Sequence, residues 1–374
     1  MRQHAVVLLL ITVSCAIQSN AQGKFSGYMF GDYFYNVARD SSFRRGNLPN
    51  SVVNGQRDLQ AFQMRRIYFT YDNNIAEHFA TRFRIEADGS AGSKDVDGNG
   101  KITVFVKDAY LVWKDIFAQS NLVFGLQPTS AFEMSEGAWG YRSLEKTIMD
   151  LRGIIPSREL GITLKGNLVE SGTVNYWVSI ANNTGTSNPN GTVADVDKFK
   201  WYSISLQVKP TNRIQASIYG SYLARPDVND IANPGSTVSN GTITGAVFIG
   251  YNEEERYSIG AEGFLASRAN ANPDNPSLPR SLKSLNALGL TVFGTLNISS
   301  DVTLVGRYDY FDPNANANFN GDMRNFFLAG LAFKPDKSVT ITPNVEIETY
   351  EKIPNGHSFD ASVTGRLTFY FVFL

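Results

Sequence analysis

Cysteine is almost missing. The 374-residue chain has one, Cys15, which lies inside an N-terminal leader-like segment. Beyond it there is no thiol for a disulfide, a zinc cluster or a cysteine nucleophile. Charge is also scarce: Asp, Glu, Lys and Arg make up 18%, against about 25% in an average globular domain. The charges nearly cancel at a formal −1, so nothing draws the chain to nucleic acid. No apolar run approaches the roughly 20 residues of a membrane-spanning helix, which excludes a helical membrane protein and leaves a barrel open. Of three histidines, only His78 and His357 follow the leader. One sits in a short turn and the other in a long loop, so they cannot build one Ser-His site. With no phosphate-binding glycine loop either, the chain reads as a protein without catalysis.

What is abundant is Tyr and Phe, within an aromatic content of 12%. The chain opens with Arg2, the apolar AVVLLLITVS and small residues at Ser19 and Ala21, the pattern of a secretory signal over 1–21. The mature chain, 22–374, is expected to begin at Gln22. TVSC departs from a lipoprotein box at Thr12.

The rest repeats one unit. Segments of about ten alternating residues are separated by turn signals, with no convincing long helix. The pattern places strands near 25–37, 61–72, 79–88, 102–113, 120–127, 158–166, 173–182, 199–209, 213–223, 242–251, 257–267, 286–297, 302–311, 324–333, 339–350 and 359–373. Every second connection is short: DNNIAEH, KDIFAQS, KPTNR, NEEER, SSD and KPDKS. The others are long and polar, such as SNPNGTVADVDK and SRANANPDNPSLPR. Up-and-down strands would gather the short turns at one end and the long loops at the other. That asymmetry, with an even strand number of about sixteen, describes an all-β transmembrane antiparallel barrel of an outer membrane, closed so that no backbone group meets lipid unpaired.

The last segment, GRLTFYFVFL, carries Leu367, Phe369, Phe371 and Phe373 on one face and Arg366, Thr368 and Tyr370 on the other. The first set is expected to face lipid and the strand to close against the first. Pro343 lacks a ladder donor, so a bulge or weak pairing is expected there.

One connection, at about thirty residues, needs structure or a role of its own: PTSAFEMSEGAWGYRSLEKTIMDLRGIIPS. Ser143 can cap a short helix in which Leu144, Ile148 and Leu151 share a face, with Gly153 ending it. An apolar stripe needs a seat. The loop, 128–157, is therefore expected to fold into the barrel and narrow it; the alternative is an outward flap onto a neighbouring subunit.

Together with FRIEAD and VKDAYLVW, the stretch GLQPTSAFEMSEGAWGYRSLEKTIMDLRGIIPSRELGITLKG resembles the phosphate-selective porin O/P family, most specifically over 79–166. The resemblance implies a sixteen-stranded outer-membrane porin, homotrimeric, with a constricting third loop and passive diffusion of small hydrophilic solutes. Phosphate does not follow securely, because the family's basic ladder does not map onto this chain residue by residue.

With apolar residues outward, the anion candidates in the pore are Arg66, Arg82, Arg84, Arg307 and Arg366, joined by Arg142, Lys146 and Arg152 of the loop. Glu86, Asp88, Glu346 and Glu348 share the same lumen, and mixed signs also read as wall-stiffening ion pairs. Adjacent second and third strands should bring Arg66, Arg82 and Arg84 together.

DVDGNGKI offers Asp95, Asp97, Asn99 and the Lys101 carbonyl in the spacing of a calcium loop, with Gly100 for the turn. Position twelve is Val106 in place of glutamate, which favours a plain hairpin loop. No other cofactor is implied. Two further readings share parts of the pattern: a closed barrel serving as adhesin or structural anchor, and a secreted carbohydrate-binding β-sandwich.

Overall fold

A computed structural model describes residues 23–40, 56–88, 102–185, 199–254, 256–353, 356 and 358–374. The leader and the calcium-type loop, with Asp95, Asp97, Asn99 and Lys101, lie outside them, as does His357. Sixteen antiparallel strands close into one barrel. They are β1 (Lys24–Ala38), β2 (Gln60–Ala76), β3 (Phe79–Asp88), β4 (Thr103–Phe117), β5 (Ser120–Pro128), β6 (Arg158–Asn167), β7 (Val174–Ala181), β8 (Trp201–Val208), β9 (Ile214–Leu223), β12 (Thr242–Glu253), β13 (Tyr257–Pro273), β14 (Leu282–Asn297), β15 (Val302–Asp312), β16 (Arg324–Asp336), β17 (Val339–Tyr350) and β18 (Ser362–Val372). Between β9 and β12 a loop carries a separate two-stranded ribbon, β10 (Val228–Asn229) and β11 (Thr237–Val238).

All sixteen expected strands are present. Several are longer than expected, because Asn73 and Asn74 continue the β2–β3 ladder and Phe117 pairs with Ser120. DNNIAEH and KDIFAQS thereby shrink to two-residue turns. Closure falls between β1 and β18, from Tyr28↔Val372 to Ala38↔Val363. The Phe373 N–H continues it by donating to the Gly27 carbonyl (3.0 Å).

Period two divides each wall. On β12, Ile243, Val247 and Ile249 are exposed on the outside while Thr244, Ala246 and Phe248 are buried inside. Outward apolar side chains recur around the barrel, among them Phe124, Ile162, Ile204, Ile218, Leu265, Leu290, Leu331 and Leu367. In water such a belt would be a liability; against acyl chains it is the stable arrangement. Pro343 sits on this outer face without a bulge. Its register to β18 is unbroken at Leu367, but on the β16 side pairing lapses opposite Leu331 and Ala332, the weak pairing expected there, and the register shifts further along between Phe333 and Asp336.

Two bulges do change the interior. The β1–β2 register shifts between Phe30↔Arg66 and Gly31↔Met64, so Arg65 and Arg66 both turn inward. The β3–β4 register shifts between Arg84↔Asp108 and Ile85↔Val106, which turns Lys107 and Asp108 inward together. An extra residue breaks strict alternation, and here each break adds a charge to the lumen.

Candidate functional site: the loop-narrowed lumen

The loop between β5 and β6 lies inside the barrel. Its structure differs from the expected helix over 144–151. A first helix, α1 (Glu133–Trp139), ends at Gly140 in the left-handed conformation, φ 67°. A single turn, α2 (Ile148–Leu151), follows Thr147 instead of Ser143. Gly153 does close it, at φ 66°. The apolar stripe is real but is shared between the turn at Leu144 and α2. Leu144, Ile148 and Met149 are completely buried.

Their seat is the inner wall of β9 and β12–β16. Phe132, Ile148, Met149 and Ile155 pack with Tyr219, Ala246, Phe264 and Phe311. Met134, Trp139 and Leu144 pack with Phe248, Phe293, Val305, Phe326 and Leu328. Burying each such side chain contributes about 1.5–3 kcal/mol, and the Trp139 indole N–H is satisfied by the Glu145 carbonyl (2.9 Å). One half of the lumen is thus a dry core.

The loop is also tied by charge. Arg65 donates to the carbonyls of Ser143 (3.0 Å) and Leu144 (2.7 Å), and its guanidinium lies 3.6 Å from both Asp32 and Glu145. Arg366 reaches Glu346 at 2.7 Å and Glu145 at 3.8 Å. Arg152 pairs with Glu348 at 2.7 Å over the Phe311 ring. Arg307 is held by Asp309 (2.6 Å) and donates to the Lys146 carbonyl. Burial opposes the charge on Glu145, but Arg65, Arg366 and the Lys146 N–H outweigh it and hold its carboxyl at about 2.

The remaining candidates are ion-paired as well. Arg66 binds Glu86 (2.6 Å) and Asp88, and Lys107 joins Glu86 at 2.9 Å. Arg84 reaches Asp108 at 3.4 Å, where Arg158 also pairs. Arg82 forms a two-pronged pair with Asp72, at 2.6 and 2.9 Å. Within the loop, Arg142 lies 3.2 Å from Glu136 and 3.4 Å from Asp150, and Lys146 lies 3.8 Å from Asp150. Arg66, Arg82 and Arg84 therefore share a wall but hold different carboxylates. Arg82 and Arg84 take theirs from β2 and β4, not from Glu86 and Asp88 along their own strand.

Sequence reasoning passed over Arg65, Lys107 and Asp108, which strict alternation assigns wrongly on the far side of a bulge. The signal was a parity change in FQMRRIYFTY: Phe62 and Met64 point outward, and so do Ile67 and Phe69. Lys24, Lys114 and Lys165, like Arg268 on β13, are lumen cations with no carboxylate within 4 Å among the described residues. Lys114 donates to Asn74 Oδ1 (2.6 Å), and Lys165 sits 4.1 Å from the centre of the Trp177 ring.

Solved structures share this fold. The outer membrane channel DcaP of Acinetobacter baumannii is 14% identical, with 95% of this chain and 98% of that one covered at a TM-score of 0.62. OprB of Pseudomonas putida is 9% identical, covering 94% of each at 0.64. An anion-selective porin from Comamonas acidovorans is 9% identical, covering 94% and 100% at 0.59. The chain has the closed sixteen-stranded fold of outer-membrane β-barrels. No protein-family model matches the chain, and no curated protein matches it.

Proposed function

We propose that the protein is a porin of a Gram-negative-type outer membrane, passing small hydrophilic solutes by diffusion with a modest preference for anions, phosphate among them. The observation that carries this is the asymmetric lumen. The loop fills the β9 and β12–β16 side, and the charged wall of β1–β6 remains opposite its polar face, with Glu133, Glu136, Arg142 and Asp150. Because the eight anion candidates are ion-paired, they supply a polar lining more than a net field. The preference is assigned to Lys24, Lys114 and Lys165, which have no carboxylate within 4 Å among the described residues, in a low-dielectric passage. No reaction is assigned to it.

Assembly as a homotrimer rests on the porin O/P resemblance, and cross-linking in native membranes tests it. A structural calcium on Asp95, Asp97, Asn99 and Lys101 is tested by a calcium-dependent gain in melting temperature that Asp95→Ala with Asp97→Ala abolishes.

The experiment for the channel is a planar-bilayer recording in a potassium chloride gradient. The expected reversal potential has the sign of chloride preference, and Lys24→Gln, Lys114→Gln and Lys165→Gln together should move it towards zero. Arg82→Ala should shift it further towards potassium than Arg84→Ala, since the first frees Asp72 while Arg158 still covers Asp108. A folded barrel without conductance would replace this reading with the adhesin or anchor.

A further inference from the structure

Below the constriction, at the end of the lumen bounded by the short turns, a cavity of about 230 Å³ opens from the wall of β1–β4. Lys24, Asp72, Asn74, Arg82, Tyr110 and Val112 line it. We propose that this cavity is a binding site for an acidic monosaccharide, a sugar carrying one carboxylate, on its way out of the channel. The proposal rests on the porin reading above and adds a substrate class to it.

Four features of the lining converge on that chemistry. The Asp72–Arg82 pair is only partly covered, with side-chain exposures of 37% and 32%. Its two oxygens and two nitrogens are used on one edge, leaving acceptor lone pairs and guanidinium N–H groups side by side on the other. Neighbouring hydroxyls of a sugar ring donate and accept at that spacing. Tyr110 supplies an aromatic face for the apolar C–H face of the ring, with a phenol at its tip. Asn74 adds a carboxamide whose oxygen already holds the Lys114 ammonium at 2.6 Å. That leaves Lys114 two further protons to donate, and Lys24 has no carboxylate within 4 Å among the described residues.

The charge balance decides between ligand classes. One carboxylate, Asp72, lines the cavity with two cations, Lys24 and Arg82, and the Lys114 ammonium lies beyond the lining on Asn74 Oδ1. A neutral sugar would leave both ammonium groups without a counter-charge. A compact inorganic anion would satisfy them but leave the Tyr110 face and the free edge of the ion pair unused. A ligand with a hydroxylated ring and a single carboxylate uses all of them, and the modest size of the cavity suits one sugar ring.

The test is isothermal titration calorimetry on the full barrel folded in detergent, with D-glucuronate, D-glucose and inorganic phosphate as probes. Glucuronate should bind at least about tenfold more tightly than either comparator, roughly the worth of one charge-assisted hydrogen bond. Tyr110→Ala should weaken glucuronate and leave phosphate unchanged. Lys24→Gln with Lys114→Gln, which removes only lumen-facing charge, should bring glucuronate down to the level of glucose. Phosphate binding as tightly as glucuronate, or glucuronate indifferent to Tyr110→Ala, overturns the sugar site. Absence of heat from all three probes in a barrel that conducts ions overturns it while the porin reading stands. A barrel that binds glucuronate without conducting overturns the channel instead.

Discussion

At the scale of single residues, Arg65 is the side chain on which the inner loop most depends. It is the one group that donates to two loop carbonyls while facing Asp32 and Glu145. Arg65→Ala would leave those carboxylates in a nearly dry site, and breaking a buried pair by removing one partner costs about 3–5 kcal/mol. The sixteen-strand ladder does not use the Arg65 side chain, so the loss should fall on the loop: single-channel conductance should rise and become noisier while the folded barrel persists. Unchanged conductance would mean that the apolar seat holds the loop alone. Acid should act on the same point. The Glu145 carboxyl lies below its ordinary value, so its contribution is complete above about pH 4.5 and is lost as pH falls through about 2. Conductance recorded from pH 5 downwards should therefore rise only at the acid end, and Glu145→Gln should show the open level already at pH 5. Arg65 was hidden in the sequence for a physical reason: one extra residue in β2 reverses inside and outside, and alternation counted from Ile67 places Arg65 in lipid.

At the scale of elements, the inner loop is a second hydrophobic core inside a polar lumen. Its apolar stripe was legible, because Leu144, Ile148 and Leu151 recur at helical spacing. Its helices were less so. Glu133–Trp139 is too short to show a period, and Gly140 ends it before a second apolar turn. The seat was readable only in part: Phe293 and Tyr219 fell on the inner face by alternation, but nothing local says that they meet a loop more than sixty residues away. Deleting Ser135 to Leu151 should raise conductance. It should also expose Phe248, Phe293, Phe326 and Leu328 to water, so the deletion variant should unfold at a lower temperature than the intact protein. Phe248→Ser with Phe293→Ser in the deleted background should recover part of that loss, since water then meets hydroxyls in place of rings. A deletion as heat-stable as the parent would show that the inner core adds nothing to the barrel.

At the scale of the whole molecule, a long-range fold was legible because its constraint is local and repeated. Each strand must turn one face to lipid and the other to the lumen, so period two is written sixteen times, and only the bulges escape it. Closure was legible at Leu367, Phe369 and Phe371, whose face continues the outer belt past β18 onto β1. The turn asymmetry carries a prediction that no single strand does. The two-residue turns at Glu77–His78 and Ala118–Gln119 and the turn after Glu253 gather at one end, while the connection at 313–323 and the β10–β11 ribbon lie at the other. Outer-membrane barrels carry short turns at their periplasmic end and longer loops at the outer surface. The short-turn end should therefore stay on the periplasmic side. A small epitope placed within Asn314–Phe319 should be labelled by antibody on intact cells. The same epitope placed after Glu253 should be labelled only once the outer membrane is broken. Both variants must first show the heat-modified mobility of a folded barrel, so that an exposed unfolded chain is not scored. Equal labelling of the two in intact cells would sink this orientation, and labelling of the Glu253 epitope alone would reverse it and put Lys24 and Lys114 at the outer mouth of the channel.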